Sequence, residues 1–140
     1  MKVMCDTNII LDVLLDREPF AESSDKVLRL CERGMIEGYT TSSCITDIFY
    51  FVRKHLHDTE RSYDVVDKLL QILRCADVDD RHIREALKMR RSDFEDTLVA
   101  VCAKSISCDC VVTRDRKGFA DFELPVLTPA ELLREVDKFC

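Results

Sequence analysis

Glycine and proline are scarce in this chain, three of each in 140 residues. That scarcity leaves no material for a collagen-like, low-complexity or linker segment, and no internal repeat is visible. Long hydrophobic runs are absent as well. The longest uninterrupted apolar stretch is the six residues Leu98 to Ala103, whereas a helix that crosses a bilayer needs about 20. The N-terminus offers Lys2 but reaches Asp6 before any apolar region builds, so no signal peptide is expected. The expectation is a cytoplasmic protein that engages no membrane. Positive charge is also in deficit, with 21 Lys and Arg against 27 Asp and Glu for a formal charge of −6. Nucleic-acid binders are usually basic, so this balance counts against an RNA partner unless several carboxylates serve a divalent cation that reverses the local field.

Cysteine is plentiful, at positions Cys5, Cys31, Cys44, Cys75, Cys102, Cys108, Cys110 and Cys140, but the pairing patterns that would give it a role are missing. No C-x-x-C occurs, and His55, His57 and His82 do not fall at zinc-finger spacing. Without a secretory signal the thiols are expected to stay reduced, and most sit in apolar runs where cysteine acts as a small hydrophobe. Neither a disulfide framework nor a structural zinc is predicted.

What the chain does have is the composition of an ordinary globular protein, 46% hydrophobic, at a length that suits one domain over 1–140. Short apolar strands alternate with longer helical patterns. Residues 2–5 read as a first strand, followed by a helix from Thr7 to Leu15. Pro19, at a first-turn position, opens a second helix that Gly34 closes. A strand at 38–41 precedes helices at Ser42–Leu56 and Thr59–Arg74, then a short strand from Cys75 to Val78 and a helix capped by Asp79. Ser92 with Glu95 reads as a capping box for a helix reaching Ile106. Strands at Cys110–Thr113 and Val126–Leu127 follow, and Thr128 with Glu131 caps a last helix. This alternation predicts an α/β fold with a parallel sheet covered on both faces. In such folds sites form beyond the carboxyl ends of the strands.

Four aspartates stand out against that frame. Asp6 follows the first strand, Asp96 lies one turn into the helix before Leu98–Ala103, and Asp115 follows the strand ending at Thr113. Asp47 is the sole charge between Cys44 and Val52, where Ile45, Ile48, Phe49 and Val52 mark a core stripe. A carboxylate buried there without partners costs several kcal/mol, so Asp47 is expected to be paired, metal-bound or aimed into a cleft, with solvent as the plain alternative. Asp6 alone also suits a helix cap. Asp93, Glu95 and Asp96 also suit first-turn acids that favour the helix dipole, and Asp115 an ordinary turn. Together, three of these acids converge at one edge of a parallel sheet. Carboxylates so gathered repel unless a cation or proton separates them, and an all-oxygen cluster selects Mg²⁺ or Mn²⁺.

The stretches Val3-Met4-Cys5-Asp6-Thr7-Asn8-Ile9-Ile10-Leu11-Asp12, Ile45-Thr46-Asp47-Ile48, Asp93-Phe94-Glu95-Asp96-Thr97-Leu98-Val99-Ala100 and Val111-Val112-Thr113-Arg114-Asp115 occur in an order and spacing that resembles the PIN-domain nucleases, in particular the toxins of VapBC-type toxin–antitoxin pairs. The resemblance implies a three-layer α/β/α sandwich around a central parallel sheet and Mg²⁺- or Mn²⁺-dependent hydrolysis of RNA phosphodiesters. It assigns catalytic and metal-site roles to Asp6, Asp47, Asp96 and Asp115, with Asn8 and Thr113 supporting them. Asp93, one turn before Asp96, either shares the site or serves the helix dipole. Asp12 is expected to be solvated. The family commonly has glutamate where this chain has Asp47, a side chain one methylene shorter, so any metal contact there is expected through water. Of the basic groups, Arg114, Arg116 and Lys117 lie closest to the predicted catalytic end and are the expected substrate contacts. The implied partners are an RNA substrate and an antitoxin protein, with a homodimer resting on family habit. Two other classes remain: a non-catalytic PIN-like module that binds protein or RNA, and a haloacid-dehalogenase-like phosphatase. The latter's usual second aspartate is replaced here by Asn8.

Overall fold

The computed structural model describes residues 1–138, so Cys140 lies outside them. The chain begins with β1 (Lys2–Cys5), α1 (Thr7–Leu14), α2 (Ala21–Glu32) and β2 (Glu37–Thr41). After a 3₁₀ turn at Ser42–Cys44 come α3 (Ile45–Leu56), α4 (Thr59–Ile72), β3 (Arg74–Ala76), α5 (Asp80–Met89) and α6 (Phe94–Ser105). Then follow β4 (Cys110–Val112), a 3₁₀ turn at Lys117–Phe119, β5 (Val126–Leu127) and α7 (Pro129–Asp137). The five strands form one parallel sheet in the order β3-β2-β1-β4-β5.

Strand pleating divides the core into the two layers expected of an α/β/α sandwich. Val3, Cys5, Cys110 and Val112 pack with Ile9, Ile10, Val27, Ile48 and Leu132 on one face. Met4 and Val111 face the other way, against Val99, Ala100, Ala103 and Phe119. Successive strand residues point to opposite faces, and both faces are covered, so β1 reads as an unbroken apolar run: Val3, Met4 and Cys5 are all buried. Burial of such side chains contributes about 1.5–3 kcal/mol each. α5 packs on α6 through Ala86, Leu98, Val101 and Cys102.

From β1 the chain runs outward through β2 and β3, then returns to place β4 and β5 on the opposite side of β1. β1 and β4 are therefore the strands between which the order reverses, and the crevice beyond their carboxyl ends is where this class of sheet binds ligands.

Several element ends differ from the sequence expectation. α6 is capped by Asp93, whose Oδ1 accepts from the Asp96 amide at 2.9 Å, so the cap falls one residue later than Ser92. Aspartate and serine cap about equally well, and only geometry separates two adjacent candidates. α3 begins at Ile45 because Ser42–Cys44 winds as a tighter turn. Pro19 precedes the cap of α2, which is Phe20, instead of lying in the first turn. The Thr128–Glu131 capping box and the Asp79 cap form as the residues imply.

Candidate active site

Asp6 is the hinge between β1 and α1. Its backbone is extended, its amide donates to Val112 O at 3.0 Å across to β4, and its side chain caps α1. Oδ1 accepts from the Thr7 amide at 2.8 Å and Oδ2 from the Thr113 hydroxyl at 2.8 Å. The residue is 6% exposed. Burial pushes its pKa up, the bonds from Thr113 and Thr7 hold it down, and the charges of Asp93 and Asp115 push it further up. No basic side chain neutralises it by an ion pair among the described residues.

Thr113 ties the end of β4 to this carboxylate. While donating to Asp6, its oxygen accepts from the Asp115 amide at 3.0 Å and lies 3.5 Å from Asn8 Nδ2. Asn8 Oδ1 is buried without a hydrogen-bond partner among the described residues. Asp115 is exposed and accepts from the Lys117 amide at 3.2 Å.

Asp96 approaches from α6 and is half-buried. Its pKa is raised to about 7, first by burial, then by the charge of Asp6, by the charge of Asp93 and a hydrogen bond shared with it, and by the charge of Asp115. The structure thus brings together Asp6, Asp93, Asp96 and Asp115, the carboxylates lining a cleft of about 320 Å³ with Asn8, Arg17 and Phe51. A second lobe of about 330 Å³ shares Asp6, Asp96 and Phe51 and continues past Glu95 to Asp47. Asp47 is exposed, in the first turn of α3, and is not among the charges that act most on Asp96. Solvent, the plain alternative for Asp47, is where this side chain goes, at the rim of the second lobe.

Among the described residues, no three Asp, Glu, His or Cys side chains are gathered tightly enough to grip one ion together. The four-acid cage is not formed. The donors present still suit a hard cation, because Mg²⁺ typically takes one or two carboxylates and completes its shell with water. The mutual repulsion on Asp96 and the unpartnered Asn8 oxygen fit such a hydrated ion.

The family profile for the PIN domain matches residues 2–117. The chain belongs to the PIN domain family. A curated relative, Ribonuclease VapC1 of Aquifex aeolicus, is 26% identical over 135 residues, covering 93% of this chain and 92% of that one. Among solved structures, VapBC2 from Rickettsia felis, bound to a DNA fragment from its promoter, matches with a TM-score of 0.68 at 20% identity over 91% of this chain and 98% of the other. VapBC-1 from nontypeable Haemophilus influenzae matches with a TM-score of 0.69 at 17% identity over 93% and 99%. These likenesses are of fold.

Two residues of this PIN domain take places the sequence did not suggest. Asp12 is fully buried instead of solvated, in a bidentate pair with Arg114 at 2.7 Å (Nε to Oδ2) and 3.0 Å (Nη2 to Oδ1). Arg114 also stacks 3.9 Å from the centre of the Phe20 ring. Of the expected substrate cations, Arg114 is therefore occupied, and Arg116 pairs with Glu131. Lys117 remains exposed beside Arg91, Ser92 and Asp93.

Gly118 is the other surprise. A Cβ built on it falls onto the Asp96 carboxylate. The absence of a side chain at this position is what lets α6 and the Lys117–Phe119 turn close around Asp96. Its only sequence signal is the rarity of glycine in the chain.

Proposed function

We propose that this PIN domain is a Mg²⁺- or Mn²⁺-dependent endoribonuclease, the toxin of a toxin–antitoxin pair whose partner protein restrains it. The observation that carries the reading is the switch-point cleft, where Asp6, Asp93, Asp96 and Asp115 crowd together with no basic side chain paired to any of them among the described residues. Such crowding costs free energy unless protons or a mobile cation relieve it. The name of the A. aeolicus relative and the VapBC assemblies of like fold support the activity and the partner class.

A bound divalent ion would supply polarisation of a phosphoryl oxygen and an acidified water at neutral pH. Asp6 and Asp96 are the residues to hold it, with Asp115 and Asp93 adjacent and Asp47 at the rim. The chain's own contribution is placement. Thr113 and the Thr7 amide fix both oxygens of Asp6, so that carboxylate does not have to reorganise. Asp96, with its pKa near 7, is poised to exchange a proton for a cation. Asn8, which lines the same lobe, keeps a buried amide oxygen without a partner among the described residues.

The test is cleavage of total RNA with Mn²⁺ present or chelated, comparing wild type with Asp96→Asn. The reading requires activity that depends on both. A non-catalytic binding module is the second reading, favoured by the absence of any three gathered ligands among the described residues. It predicts that Mn²⁺ leaves the melting temperature unchanged, because only a ligand of the native state raises it.

A further inference from the structure

The lobe that holds Asp6, Asp93, Asp96 and Asp115 has one cation among its described lining residues, Arg17. We propose that Arg17 binds a backbone phosphate of the RNA strand lying across this cleft, an inference that rests on the ribonuclease reading.

Arg17 sits in the turn between α1 and α2, across the cleft from α6. It is half-buried and makes no salt bridge with any described carboxylate, although it borders four of them. Arg114 and Arg116, the cations nearest Asp115 in sequence, are already paired with Asp12 and Glu131. The Arg17 backbone is fixed at both ends. Its amide donates to Asp12 O at 2.9 Å, and its carbonyl accepts from the amides of Phe20 at 3.0 Å and Ala21 at 2.8 Å. Asp12 and Phe20 are the two residues that Arg114 grips, one by ion pair and one by stacking. The clamp thus joins the turn carrying Arg17 to the loop carrying Asp115, and so fixes the Arg17 backbone beside the acidic floor its side chain lines.

Electrostatics then assigns the ligand. A floor of four carboxylates stays net negative with one divalent ion bound, and within this lobe the one described lining cation that can attract an entering polyanion is Arg17. A guanidinium presents a planar fork of N–H donors that matches the oxygens of a phosphodiester. With its backbone fixed and its side chain unpaired among the described residues, Arg17 has donors to offer that ligand.

The experiment measures binding of a short fluorescein-labelled single-stranded RNA by anisotropy, at constant Mg²⁺. Asp96→Asn serves as the non-cleaving parent, alone and combined with Arg17→Ala or Arg17→Lys. The expected result is about a tenfold weaker Kd for Arg17→Ala, an intermediate value for Arg17→Lys, and a salt slope smaller by about 0.7, the share of one phosphate contact on a single strand. In the cleaving protein, Arg17→Ala raises KM more than it lowers kcat, and the Mn²⁺-induced rise in melting temperature is unchanged. RNA affinity and salt slope equal to the parent's overturn the proposal. So does a loss of RNA binding that comes with a changed Mn²⁺ response, which makes Arg17 a counterweight to the acids instead. If Arg17→Ala fails to fold, Arg17→Lys and Arg17→Gln decide, since the backbone bonds of this residue do not depend on its side chain. RNA binding that depends on Arg17 in a wild type without Mn²⁺-dependent cleavage removes the ribonuclease reading and leaves this one standing.

Discussion

Asp6 caps the start of α1 and Asp12 lies in its second turn; both are buried, and their charges are handled in opposite ways. Asp12 is fully enclosed and has a dedicated cation, Arg114, on both oxygens. Asp6 is nearly as enclosed and has, among the described residues, a hydroxyl and an amide as its donors, while burial and the carboxylates beside it push its pKa up. A buried charge whose counterion is part of the chain holds the fold together. A buried charge whose neighbours are of its own sign is destabilising in the absence of a ligand, and its presence in a switch-point crevice points to function. The difference is not one of burial but of whether the compensating cation is built in.

That contrast breaks cleanly by substitution. The largest effect is on activity: Asp6→Asn or Asp96→Asn lowers kcat/KM for RNA cleavage with Mn²⁺ by about a thousandfold, the scale of losing several kcal/mol of transition-state charge stabilisation. Either variant cleaving at wild-type rate removes its acid from the machinery. The next effect is on stability. Arg114→Ala leaves Asp12 buried and uncompensated. Breaking a fully enclosed pair costs about 3–5 kcal/mol, and because the Arg114 side chain is 30% exposed we expect about 2 kcal/mol by urea denaturation. Asp6→Asn removes a crowded charge instead, and its stability stays within about 1 kcal/mol of wild type or rises. Equal losses for Arg114→Ala and Asp6→Asn erase the distinction.

The sequence carried the sheet well, because its evidence is local: β1 and β4 are short apolar runs, and the Asp79 and Thr128 caps are one-turn patterns. The rule that sites form beyond the carboxyl ends of parallel strands points in the sequence to the neighbourhood of Asp6, Thr113, Asp96 and Asp115. The weaker inferences were those that depend on which way one helical face turns. Asp47 stands out in the sequence as the lone charge among apolar neighbours, yet it is exposed, because the core stripe Ile45, Ile48, Phe49 and Val52 still leaves a strip of α3 at the cleft rim. The same test applied to Ile9–Leu15 would have flagged Asp12, the lone charge there, which is the one that is buried. Its partner lies 102 positions away, beyond the reach of any periodicity argument. Arg17 and Gly118 matter through what stands across from them, and neither is marked by a local pattern.

Smaller effects sharpen the comparison at Asp96. Gly118→Ala forces the Asp96 carboxylate aside, because the added methyl occupies its place. The side chain is flexible enough to move, so stability changes by less than about 1 kcal/mol while kcat/KM falls about tenfold, as misplacement of a reacting group by a fraction of an ångström does. Unchanged activity means the Asp96 position is not critical.

The mildest prediction concerns pH. Asp96 has a pKa of about 7 in the folded chain, and an unfolded aspartate titrates near ~3.9. Between those values the native state holds a proton that the unfolded state has released, so stability falls as pH rises through the window. Asp6 is shifted in the same direction. Asp79, shifted downward, acts only below about pH 4 and does not oppose the trend. Metal-free protein should therefore melt a few degrees lower at about pH 8 than at about pH 5.5, and Asp96→Asn should flatten that slope. Because a divalent cation binds the ionised form, Mn²⁺ should raise the melting temperature more at the higher pH. A slope that Asp96→Asn leaves untouched would take the unrelieved charge away from Asp96.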